Sequence, residues 1–198
     1  MKTALILGLF FLVQFSFSQI LIDSTSHYSE EKLPYHEVPD YSENYTAGTI
    51  AARMVDALGF RFYWASEGLR QRDLNYKPNT DARSTEETID HILGLSYIIV
   101  NSTLKRPNGK SDVSRLSYLD KRKHVLLNLK TAADILRSSE DISQYKIIFG
   151  DNEVPFWNQL NGPIADAIWH CGQLASFRRS SGNPINSNVD HFNGKLSN

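Results

Sequence analysis

Apolar residues recur at spacings of three and four along four separate stretches of this chain, with clusters of Pro, Asn and Gly between them. That period gathers the apolar side chains on one face of a helix. The first stretch starts near Thr46, has Ile50, Met54, Ala57, Leu58, Phe62 and Ala65 as its inner residues, and runs to about Leu69. Asn75, Pro78 and Asn79 stop it. The second opens on Ser84, Thr85, Glu86 and Glu87, a capping box in which the Ser84 hydroxyl accepts from the Glu87 amide and the Glu87 carboxylate reaches back. Ile89, Ile92, Leu95, Tyr97, Ile98 and Ile99 carry this helix to about Leu104, ahead of the breaker from Arg106 to Gly109. The third fits Asp112 to about Leu136, with Val113, Leu116, Leu119, Val125, Leu126, Leu129, Ala132 and Ile135 inside. Within it, Lys121, Arg122 and Lys123 read as one solvated turn and His124 as a surface residue.

The fourth helix is secure from Ile164 to Arg179. Val154 to Trp157 reads as a first turn with Pro155 at N1, and Gly162-Pro163 implies a kink or a restart. Gly182, Asn183 and Pro184 end it as a C′ glycine with a following proline should, and Arg178 and Arg179 suit the negative end of its dipole. Tyr145 to Phe149, followed by Gly150, is the one strand-like signal, an extended segment with a turn. Four helices joined by moderate loops predict an all-α four-helix bundle over residues 45–185, with residues 186–198, His191 included, as a polar tail.

Ahead of the bundle, Lys2 precedes the apolar run Ala4 to Val13, and Ser16 and Ser18 supply small residues at the end of the stretch. This is the pattern of a signal peptide over residues 1–18, cleaved after Ser18, and the run is too short to span a bilayer. The expected location is periplasmic or secreted, with no membrane span in the mature protein. Residues 19–44 read as an extended lead-in in which His27 and His36 are solvated. The charge balance, 21 basic against 22 acidic residues, gives no field that would gather nucleic acid. The single cysteine, Cys171, can form no internal disulfide, so the core alone must hold the fold, and Cys171 itself reads as a small buried hydrophobe.

Asp166 and His170 stand four residues apart, so carboxylate and imidazole share a helix face that Gln173 and Phe177 continue. One helix supplies only part of a metal's coordination sphere, and His91, on the core-facing stripe of the second helix with Leu95 and Ile98, is the candidate for a third ligand. Taken alone, a histidine on an apolar face such as His91 is more often a hydrogen-bonded core residue than a ligand, and it is the Asp166 and His170 pair that raises the ligand reading. On the first helix Tyr63 and Glu67 share a face, and Glu67 is either a group that supports such a site or a surface acid.

Trp64 to Leu69, the Asp90, His91 and Ile92 run, and above all His170 to Gln173 leading to Arg178, Arg179 and Gly182 to Pro184 resemble the DinB/YfiT-like superfamily of four-helix-bundle metalloenzymes. The resemblance covers about Thr46 to Ile185. It implies a divalent metal, often zinc or nickel, held by one His of the second helix and two of the last, four residues apart. His91 takes the first place and His170 the last, while Asp166 stands where the family usually has His. Two imidazoles and one carboxylate still suit a first-row divalent ion, with the preference moved toward iron or manganese. Two functions follow. One is an exported metal-dependent hydrolase or transferase acting on a small molecule by activating water or a thiol or carbonyl group, with Glu67 or Tyr63 as base or orienting group and Gln173 and Arg178 as further site residues. The other is a non-catalytic metal-binding or stress-related bundle, dimeric through exposed helix faces, in which the same residues bind metal structurally or, with Asp166 marking a lost site, not at all.

Overall fold

Short-range hydrogen bonds set where the helices begin. In the computed structural model, which describes residues 32–109 and 112–197, Thr46 caps α1 (Ala47–Ser66): its hydroxyl accepts from the Thr49 amide at 3.1 Å. A four-residue helix, α2 (Gln71–Leu74), follows. The Ser84 capping box opens α3 (Thr85–Thr103) as the sequence predicts, with the Glu87 amide donating to the Ser84 hydroxyl at 3.1 Å and the Ser84 amide to the Glu87 carboxylate at 2.6 Å. The helix α4 (Tyr118–Arg137) starts at the Ser117 cap, later than the expected Asp112. A hairpin of β1 (Ile147–Phe149) and β2 (Asn152–Val154) turns at Gly150, which sits at φ 57°. Then α5 (Trp157–Gln159) runs through a π-helical turn at Leu160–Ile164 into α6 (Ala165–Ser180). Gly162, at φ −98° and ψ −109°, and Pro163 make the kink that the sequence implies. The expected signal peptide, residues 1–18, and the lead-in residues 19–31, with His27, lie outside the described residues.

The long helices α1 and α3 each pack against both α4 and α6, so the chain is mostly helical and compatible with an all-α bundle. Leu58, Phe62, Ile89, Ile92, Leu93, Leu126, Leu129 and Leu174 are fully buried at its centre. Among the described residues, no helix is long and apolar enough to cross a membrane.

Several faces turn differently from the hydropathy pattern. Ile50 is 53 % exposed, whereas Ala51, Ala52, Val55 and the carboxylate of Asp56 face inward. Small residues win there because α1 and α4 approach closely: a Cβ on Gly48 would lie 2.4 Å from the Leu136 carbonyl oxygen. Asp56 is then paired with Arg137 at 2.8 Å. Leu119 is exposed, and of the basic turn Lys121 and Arg122 are buried, leaving Lys123 on the surface. Lys121 reaches Asp90 at 2.7 Å and Glu86 at 3.1 Å on α3, and Arg122 reaches the end of α1. His124 is half-buried, with Nδ1 2.8 Å from the Tyr97 hydroxyl.

The two flanking segments also differ from the expectation. Tyr35 is buried at φ 74°, its ring against Gly59, where an added Cβ would come within 2.4 Å. His36 packs on Trp64 with ring centroids 5.0 Å apart, and the Trp64 indole N–H donates to its carbonyl at 3.1 Å. The polar tail forms a second hairpin, β3 (Val189–Asp190) with β4 (Lys195–Leu196). The Val38 amide donates to the Gly194 carbonyl at 2.8 Å, and His191 meets Phe60 edge-on. These segments fold onto the helices because Val38, Ile185, Val189 and Leu196 bury apolar surface against Phe60 and Trp64.

Candidate metal centre

Helix α3 delivers His91, and α6 delivers Asp166 and His170. On α6 the inward face is Ala167, Cys171 and Leu174, and Asp166, His170 and Gln173 lie beside it along the edge that meets α3. The spacing read from the sequence therefore brings together the three residues it named. His91 Nε2 stands 3.0 Å from Asp166 Oδ2, and His170 Nε2 stands 3.2 Å from Asp166 Oδ1. The two imidazoles are nearly perpendicular, 4.6 Å between centroids. One ligand atom from each of the three residues lies within 4.8 Å of the others.

These distances fit a shared cation. Two donors each about 2.1 Å from one ion are about 3.0 Å apart at a right angle and about 3.4 Å apart in a tetrahedron. The two contacts at Asp166, 3.0 and 3.2 Å, lie in that range; they are also hydrogen-bond lengths and run to different oxygens of the carboxylate. His170 Nδ1 lies 2.8 Å from Gln173 Oε1. With Nδ1 donating there, Nε2 keeps its lone pair on the side of His91 and Asp166, which is how a ligating histidine is ordinarily oriented. Side-chain exposure is 12 % for His170, 31 % for His91 and 39 % for Asp166. The cluster is covered on the His170 side and more open to water at His91 and Asp166.

A cleft of about 400 Å³ opens beside it, with His91 in its wall together with Gly94, Tyr97, Asn108 and Phe149. The neighbouring carboxylate, Asp90, is taken by Lys121. A second cleft, of about 310 Å³ near Tyr41, Tyr45 and Arg53, carries no member of the triad.

The remaining named residues sit elsewhere. Glu67 is paired with Arg122, whose guanidinium lies 4.5 Å above the Tyr63 ring, and Tyr63 also meets His36 edge-on. Both belong to the contact between the end of α1 and α4. Arg178 is buried and fastens α6 to α1: Nη1 donates to the Trp64 carbonyl at 2.7 Å and Nε to the Asn183 carbonyl at 2.8 Å. Asn183 in turn donates to Asp73 at 2.8 Å, and the Ser181 hydroxyl to the same carboxylate at 2.7 Å. Hydrogen bonds from Arg70, Ser181 and Asn183 outweigh burial and hold Asp73 well below the usual carboxylate range. The closing motif from Arg178 to Pro184 thus works as a clasp, with Gly182 at φ 75° making its turn. Cys171 is buried, and burial pushes its thiol up to about 12, so it is inert.

Two features of the cleft escaped the sequence reading. The pairing of Tyr97 with His124 joins different helices and leaves no local signature. Gly94 did leave one: a glycine in a helix interior, three residues after His91. Comparison of the chain with protein-family models, with curated proteins and with solved structures finds no match in any of the three.

Proposed function

We propose that the protein is an exported, DinB-like metal-dependent enzyme, a hydrolase or transferase whose divalent ion is held by His91, Asp166 and His170. The observation that carries this reading is the convergence of two imidazole Nε2 atoms on the two oxygens of one carboxylate, at 3.0 and 3.2 Å, from helices far apart in sequence. The residue pattern from Trp64 to Pro184 supports the DinB-like fold, and the start of the chain supports export. When bound, the ion would supply Lewis acidity, activating water or polarising a thiol or carbonyl group. His170, locked by Gln173, fixes the direction of one donor. Asp166 contributes the negative charge that favours a divalent cation over a neutral third imidazole's share of it. His91, the more exposed histidine, is the member of the triad that also stands in the cleft wall.

The test is elemental analysis of the protein purified without added metal, beside His170→Ala. About one equivalent of a first-row divalent ion in the wild type, lost in the variant, is the expected result. If neither protein holds metal and neither melts higher with zinc, nickel, iron(II) or manganese, the enzyme reading fails and Asp166 is simply a hydrogen-bond partner of two histidines.

A further inference from the structure

Gly94 is at odds with its place. It stands in the interior of α3, exposed, where a Cβ would meet nothing within 4 Å. Its backbone needs no positive φ and no neighbour presses on it, so alanine would serve the helix better. A bare backbone at such a point leaves room for something that approaches the helix closely, and Gly94 lines the cleft one turn beyond His91.

The walls of that cleft have few polar groups to offer. Asn108 uses part of its amide internally, donating one N–H to the Ile148 carbonyl at 3.1 Å and accepting from Asn101 at 3.1 Å. The Tyr97 hydroxyl is engaged by His124, and Asp90 by Lys121. Among the described residues, no lysine or arginine lines the cleft. Most of the rest of the wall is apolar, Ile98, Val113, Phe149 and the small exposed part of Leu95, beside the open backbone at Gly94. Among the described residues, an anionic ligand would find no cationic side chain in this wall and would meet Asp90, whose charge is already shared with Lys121.

From this the geometry points to a substrate class: the cleft beside His91 takes an uncharged, largely apolar tail that lies over Gly94, and presents the molecule's single donor group to the cation held by the triad. The inference rests on the metal reading above and adds to it what the site selects. Its volume, about 400 Å³, suits a tail the size of a medium-chain acyl or a two-ring group.

Hydroxamic acids test it, since the head group seeks the metal and the tail reports the cleft. Acetohydroxamic acid, octanohydroxamic acid and the carboxylate-tailed monohydroxamate of octanedioic acid are titrated calorimetrically into the protein loaded with its own metal. Each buried methylene is worth about 4-fold, so burying half of the six extra ones makes the octanoyl probe about 60-fold tighter than the acetyl one. The carboxylate tail should lose most of that gain. Gly94→Phe, which fills the cleft, should bring the gap under about 3-fold while metal content stays unchanged. Phe149→Ala, at the exposed rim, should narrow the gap several-fold even if Gly94→Phe does not fold. Equal affinity for the long and short probes, a preference for the charged tail, or a gap untouched by both variants overturns the proposal with the metal site intact. A protein that holds no metal and binds none of the probes takes the proposal down together with the reading beneath it.

Discussion

Replacing Arg122 with alanine should cost the fold about 3 kcal/mol. Its side chain is 7 % exposed, and three contacts set the figure. The Nε hydrogen bond to the buried Ser66 hydroxyl, 3.1 Å long, is charge-assisted and worth about 1.5 kcal/mol. The guanidinium 4.5 Å over the Tyr63 ring adds about 1 kcal/mol. The pair with the half-exposed Glu67 adds about 0.5 kcal/mol. In a domain of this size a loss of about 3 kcal/mol lowers the melting point by about 6–12 °C. Arg122→Lys recovers the Glu67 pair but neither the hydrogen bond to Ser66 nor the stacked plane, so it should still lose about 2.5 kcal/mol. Urea unfolding and thermal melts of the wild type, both variants and Glu67→Gln measure these terms separately. An Arg122→Ala protein that melts within about 2 °C of wild type would show a solvated turn after all and refute the buried-anchor argument.

Gly94→Ala should raise stability by up to about 1 kcal/mol, because the helix gains propensity and nothing obstructs the methyl group. Gly59→Ala should lower it by more than that, since the new methyl would collide with the Tyr35 ring; thermal melts of the two, side by side, check both signs. Gln173→Leu should leave His170 in place but free to turn, weakening metal affinity about 10- to 100-fold in a competition titration with a chelator. Asp73 contributes through a lowered pKa, so its stabilisation is complete above its unfolded value of about 3.9 and disappears as pH falls through the lower folded value. The stability gap between wild type and Asp73→Asn should accordingly close in acid and stay constant from about pH 5 upward, as urea midpoints across pH will show. Cys171, buried and with a raised pKa, should react with a thiol reagent only as fast as the protein opens.

Local signals in the sequence were sufficient for the helices themselves. The Ser84 box, the break at Gly162-Pro163 and the Gly150 turn act within a few residues, and each is where the sequence put it. The Asp166 and His170 spacing likewise needs only helix geometry, whereas the stripe of His91 alone suited a core histidine and made it a ligand candidate only beside that pair. Facing was harder. Hydropathy places Lys121 and Arg122 outside, but burial of a charge depends on partners, and theirs lie on α1 and α3. Ile50 and Asp56 exchanged places because Gly48 lets the α4 backbone approach, a contact with no trace in periodicity. The tail looked polar because its apolar residues are spaced singly, and only Phe60 and Trp64 on α1 give them a surface to cover.

Val38, Phe60 and Trp64 form a small buried group set apart from the main core, and the hydrogen bond from Val38 to Gly194 ties the segment before α1 to the hairpin after α6. Such a satellite can come loose while the larger core stays shut. Amide protons at Val38 and Val189 should then exchange with solvent through a partial opening, well before those of Leu93 or Leu129 are released by complete unfolding. The triad hangs from α3 and α6, outside this satellite, so the chain can undo the knot joining its flanking segments and tie it again without letting go of whatever His91, Asp166 and His170 hold.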